Sequence, residues 1–168
     1  MTKDIPPPVS AHVDDVVGYR ISPDDTVVLV VLSGPRTSGS QTTVCFEVWE
    51  PGGSQPDNSH PSSTETFVVL QGEGLAHSDS HDVALRAGSV IVLPPGSVHR
   101  IENTSATERL YTLTVMENDD GFENLILSGT PTGLSAEDRG VLARRTSPAA
   151  DCSFARSGSA ASSRECLL

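Results

Sequence analysis

Between residues 26 and 116, short apolar runs rich in β-branched side chains alternate with turns of Gly, Pro, Ser, Asn or Asp. The first runs are 26–32 (TVVLVVL), 42–50 (TTVCFEVWE) and 64–71 (TETFVVLQ); 74–78, 82–86, 88–94, 98–103 and 109–116 follow. Runs of five to nine residues with turn signals between them predict strands. So many short strands in succession predict an all-β sandwich or barrel rather than βαβ units.

The pattern changes on either side of this block. Residues 1–12 hold Pro6, Pro7 and Pro8 and little apolar content, which predicts an extended arm, so 1–25 is taken as an arm with the first strand region. Residues 117–145 form an extension with one helix signal: Ser135 precedes an amphipathic stretch and Asp138 follows three residues later, as in a capping box. Residues 146–168 are rich in Ser and Ala with one aromatic; they bury too little to offset ordering and are expected to be disordered.

Composition narrows the function classes. A formal net charge of −11 and no basic stripe argue against a nucleic-acid or membrane-surface partner. The first residues lack an apolar signal-peptide core, and no run approaches the roughly 20 apolar residues of a membrane helix, so a cytoplasmic protein is expected. Cys45, Cys152 and Cys166 form no CxxC pair, which leaves neither a disulfide framework nor a zinc knuckle in view.

Candidate chemistry lies in two spaced stretches. In the first, Gly52 is followed by Asn58, His60, Glu65 and Gly72; in the second, Gly88 is followed by Pro94, Gly96, His99 and Asn103. These resemble the two motifs of the cupin family, G-x5-H-x-H-x3,4-E-x6-G and G-x5-P-x-G-x2-H-x3-N. The second is matched at every fixed position, and the first at all but one, where Asn58 stands in place of a histidine. Five fixed positions of the second type coincide by chance on the order of once in a million starts.

The resemblance covers roughly residues 26–116 and implies a double-stranded β-helix, a jelly-roll cupin barrel with a short C-terminal helix. It also implies one divalent transition metal, Fe(II), Mn(II), Ni(II) or Zn(II), held by His60, Glu65 and His99. Asn58 is either a fourth ligand or a hydrogen-bonding neighbour of a ligand or bound water. Independently of the family, a strand places alternate residues on one face, so His99 shares a face with Ile101 and Asn103, and Glu65 with Phe67 and Val69. A carboxylate among such apolar walls is costly unless paired, and two imidazoles with a carboxylate suit a divalent ion.

The expected function is a metal-dependent enzyme on a small organic molecule, most simply a dioxygenase-like oxidoreductase. The alternatives are a cupin isomerase, lyase or cyclase using the metal as a Lewis acid, or a non-catalytic small-ligand binder. Small cupins also imply a homodimer, with which the run 26–32 is compatible. Two further residues are candidates for catalysis. Tyr111, with Leu113 and Val115, is expected to line the barrel, either simply as core or with its hydroxyl offered to substrate. Glu47 shares a face with Cys45 and Trp49 opposite the all-apolar Val44, Phe46 and Val48; the apolar face is the expected core, which puts Glu47 outside or between subunits. In the reverse register Glu47 would be a second carboxylate near the site and a general base. Asn103 is read as a hydrogen-bonding residue, and His77 and His81 as solvated loop histidines.

Overall fold

The computed structural model describes residues 5–144. The strands are β1 (Gly18–Arg20), β2 (Val27–Ser33), β3 (Thr43–Trp49), β4 (Glu65–Gln71), β5 (Glu73–Ser78), β6 (His81–Arg86), β7 (Val90–Leu93), β8 (His99–Asn103) and β9 (Leu110–Met116). Helix α1 (Phe122–Leu127), strand β10 (Thr130–Thr132) and helix α2 (Ala136–Leu142) follow. A seven-stranded sheet runs β10-β1-β2-β3-β9-β4-β7 and faces a three-stranded sheet, β6-β5-β8. Every named pairing is antiparallel, and the two sheets form the expected jelly roll.

All eight runs between 26 and 116 are strands, because β-branched composition and turn chemistry agree there. β1, β10 and α1 carry no such signal: two are three-residue strands and the helix has six residues, too short for a period to register. α2 begins where the capping box places it, with Asp138 N–H donating to Ser135 Oγ at 3.1 Å and Ser135 N–H to Asp138 Oδ2 at 2.7 Å. Neither helix is long or apolar enough to cross a membrane. The disorder expected of 146–168 lies outside the described residues, as do Cys152 and Cys166.

In the large sheet, β2, β3 and the start of β9 are buried on both faces, and this corrects two expectations. Its inner face carries Leu29, Cys45, Trp49, Phe67, Val69 and Leu110, which pack with Ile101, Ala76 and Leu85 of the small sheet into the barrel core. Its outer face carries Val28, Val30, Phe46, Val48 and Tyr111, covered by Val16, Leu134, Val141 and Leu142. Tyr111 therefore does not line the barrel: its ring stacks on Phe46 at 5.9 Å and its hydroxyl donates to Asp138 Oδ1 at 3.1 Å. Leu113 and Val115 share its face, and Thr112, Thr114 and Met116 take the inner one, opposite Glu47, Cys45 and Thr43. Glu47 is inside the barrel, not on the surface.

The apolar face of β3 is a true core face, but of a second core made by the chain's own C-terminal extension. Strand β2 lies between β1 and β3, with Val27 to Val30 buried and Val31 and Leu32 half-buried.

Asp138 ties this outer core together, accepting from Arg109 at 2.8 Å as well as from Tyr111. Asp138→Ala removes the half of the capping box that accepts from Ser135 N–H, at about 1 kcal/mol, and takes the acceptor from the buried Tyr111 hydroxyl, at a further ~1–3 kcal/mol. The expected result is a lower urea midpoint with an unchanged slope. Ser135→Ala, which spares Tyr111, should lose about half as much.

Candidate metal centre

Glu65 opens β4 and His99 opens β8, and both point into the barrel at the same end. His99 Nε2 lies 2.9 Å from Glu65 Oε2, and His60 Nε2 lies 3.6 Å from the same oxygen. One donor atom from each of the three residues falls within 4.8 Å of the others. The side chains of His99 and Glu65 are 2% and 5% exposed and that of His60 is 18%, so the cluster opens toward solvent on the His60 side. There the ring of Phe122, on α1, stands edge-on to His60 at 6.2 Å.

The two motifs hold each other in place. Gly96, at φ 80° in the turn after β7, donates its N–H to the carbonyl of His60 at 2.8 Å. A side chain at that φ would be strained, so glycine allows the turn that starts β8 at His99. Asn58 and His99 exchange both backbone N–H···O=C bonds at 2.9 Å, which lays residue 58 along the free edge of β8. Gly72 has φ 89°, and a Cβ there would meet the Arg109 carbonyl oxygen at 2.6 Å, so this motif glycine seats β4 and β5 against β9. Asn103 Nδ2 donates to the carbonyls of Glu50 and Glu108 at 2.9 and 2.8 Å, and its Oδ1 accepts from Ser105 N–H; it is a tie between loops.

His99 Nδ1 sits 3.1 Å from the Ser97 carbonyl. A carbonyl can only accept, so Nδ1 carries a proton, and Nε2, which meets Glu65, is the nitrogen left to offer its lone pair to a metal. Burial pushes the Glu65 carboxyl up, but hydrogen bonds from His60 and His99 outweigh it and hold it below its ordinary range. His60 moves the opposite way: its hydrogen bond to Glu65 raises it against the effect of burial. Without a cation, the raised proton affinity of His60 serves to balance Glu65. A divalent cation would replace a proton there, and the donor set of two imidazoles and a carboxylate fits one.

Glu47 lies deeper, 2% exposed. Trp49 Nε1–H donates to Thr112 Oγ1 at 3.0 Å, and Thr112 in turn donates to Glu47 Oε2 at 3.1 Å. Burial, then the charge of Glu65, raises the Glu47 carboxyl to about 8. At neutral pH it is mostly the neutral acid, and it lies on the inner face of β3, the reverse of the register expected first. Tyr111, on the outer face, cannot reach the cluster. His77 is also corrected: it is 18% exposed, between Asp82 at 2.6 Å and Glu102 at 3.3 Å, and joins β5 to β6 and β8, whereas His81 is exposed as expected.

A family model described as a cupin domain matches residues 45–116. Over 58 residues the chain is 38% identical to an oxalate-binding protein of Thermotoga maritima, a stretch covering 34% of this chain and 48% of that relative. It is 31% identical over 90 residues to germin-like protein 3-5 of Oryza sativa, covering 48% of this chain and 40% of the relative. The chain thus spans about half the length of the first relative and less of the second. Among solved structures, one from Thermotoga maritima described as a predicted oxalate decarboxylase superposes with a TM-score of 0.58 at 25% identity, covering 65% of this chain and 98% of that one. A recombinant oxalate oxidase in complex with glycolate superposes with a TM-score of 0.51 at 25% identity, covering 58% and 54%. Residues 45–116 thus resemble a cupin domain, and that segment contains Glu65, His60, His99 and Asn58.

The buried acid at Glu47 has a measurable consequence. A carboxyl raised in the folded state keeps a proton that the unfolded chain has released, so stability is lost as pH rises from about 4.5 to about 8. Glu47→Gln, which keeps an oxygen for Thr112, should melt with the parent at pH 5 and several degrees above it at pH 8, both metal-free. Equal pH profiles would mean that Glu47 is not the neutral acid described.

Proposed function

We propose that the chain is a metal-dependent cupin enzyme acting on a small organic acid, with dioxygen as the oxidant. The observation that carries this reading is the convergence of His60, Glu65 and His99 at one end of the barrel. Two neutral imidazoles and one carboxylate leave a divalent ion with one net positive charge and open positions, a setting that favours an anionic ligand. The ion, when bound, supplies Lewis acidity and redox chemistry.

The chain's own residues do the rest. His99, fixed by Ser97, and Glu65 form the buried wall, while His60 and Phe122 flank the entrance. Below the cluster, Trp49, Phe67, Ile101 and Leu110 are wholly buried and fill the barrel, so only a small ligand finds room at its end. Oxalate and glycolate, the two-carbon acids in the names of the relatives, are the first probes. A non-catalytic binder is the second reading, favoured by the name of the Thermotoga maritima relative.

The test is metal analysis by mass spectrometry of protein purified without a histidine tag, beside His99→Ala. Near-stoichiometric metal in the parent and little in the variant is expected. Saturation at about a hundred times the dissociation constant should add ~2.7 kcal/mol to the parent's stability. Calorimetric titration with oxalate and glycolate, together with an oxygen electrode, then separates the readings. Binding with oxygen uptake supports the enzyme, and binding without uptake supports the binder. Metal retained in full by His99→Ala would remove the basis for both.

A further inference from the structure

The motif departure at Asn58 has a physical reading in the structure. Asn58 and His99 form a directly opposed antiparallel pair, and opposed residues project to the same face. His99 projects into the barrel end, where its Nε2 meets Glu65, so the Asn58 side chain leaves the backbone on the side of the metal cluster. Its amide orientation is set by a neighbour: Nδ2 donates to the Pro56 carbonyl at 3.3 Å. The flipped amide would set two carbonyl oxygens against each other, so Oδ1 is the atom turned away from Pro56. Among the described residues, that Oδ1 is the one side-chain carbonyl oxygen that is shielded from water and has no hydrogen-bond partner. An orphaned acceptor is costly, and a cation beside it removes the cost.

We infer that Asn58 Oδ1 is a fourth donor to the metal, and that it biases the site toward the Mn(II) end of the divalent series and away from Ni(II) and Zn(II). The inference rests on the proposed metal centre and concerns which ion it takes. With Asn58 the donor set is two nitrogens and two oxygens, where the family motif would give three nitrogens and one oxygen. Imidazole suits Ni and Zn, while carboxylate and carbonyl oxygens suit Mn. Exchanging one imidazole for an amide oxygen therefore weakens Ni(II) and Zn(II) more than Mn(II). Water or a ligand atom can displace a neutral amide more easily than an imidazole, so the same exchange loosens one coordination position.

The test uses the full chain, stripped of metal with a chelator and checked for folding by circular dichroism. Affinities for Mn(II), Ni(II) and Zn(II) are measured by competition calorimetry, with the electron paramagnetic resonance spectrum of Mn(II) as an independent report on its ligands. Asn58→His should raise Ni(II) and Zn(II) affinity by about tenfold or more and Mn(II) affinity far less; Asn58→Ala should lower Mn(II) affinity by about tenfold and change its spectrum. The inference is overturned if Asn58→Ala leaves affinity and spectrum unaltered, or if Asn58→His shifts all three ions by one factor. Glu65→Gln serves as the control. If it binds every ion as the parent does, the ions sit elsewhere and the proposed centre itself fails; if it loses them while the Asn58 variants do nothing, only the role of Asn58 falls.

Discussion

A single carboxylate governs the functional end of this barrel. Glu65 is buried at the start of β4, and an isolated charge in that position is among the costliest things a fold can contain. Two imidazoles meet it, one from a strand start and one from a loop, and both must arrive with a nitrogen facing the same oxygen. That requirement explains the local architecture. The turn at Gly96 is bonded to the His60 carbonyl, residue 58 is bonded along the edge of β8, and Ser97 fixes the His99 tautomer. Each contact removes a freedom that would let the three side chains drift apart.

The barrel holds a second, quieter polar feature in the Trp49–Thr112–Glu47 chain. Its carboxyl is accommodated differently from Glu65, by staying protonated rather than by gaining a counter-charge. Two acids in one apolar interior thus take opposite states, because one has imidazoles beside it and the other has only hydroxyl-bearing neighbours and the first acid's charge. This division leaves the inner acid neutral while the outer one is free to hold a cation.

The C-terminal extension gives the large sheet an outer core. α2 and Leu134 cover Phe46, Val48 and Tyr111, and the Ser135–Asp138 cap reaches through Asp138 to Tyr111 and Arg109. A strand with both faces buried loses the in–out alternation from which its orientation could be read. That is why Glu47 and Tyr111 were each expected on the wrong side. The Val44, Phe46 and Val48 face looked like the barrel interior because it is apolar, and it is apolar because another part of the chain lies on it.

The amino-acid sequence by itself determined the strand-rich body, the capped helix at Ser135, and the grouping of His60, Glu65 and His99. These depend on local periodicity, turn glycines and spacing, which are written along the chain. Only the tertiary structure decided which face of β3 and β9 is the interior, that Glu47 is a buried acid raised by its surroundings, and that the Asn58 amide oxygen is shielded from water without a partner. Those facts depend on what a distant segment covers and on which carbonyl a side chain meets across a loop. No local pattern encodes such contacts, because the residues that create them are far apart in the chain.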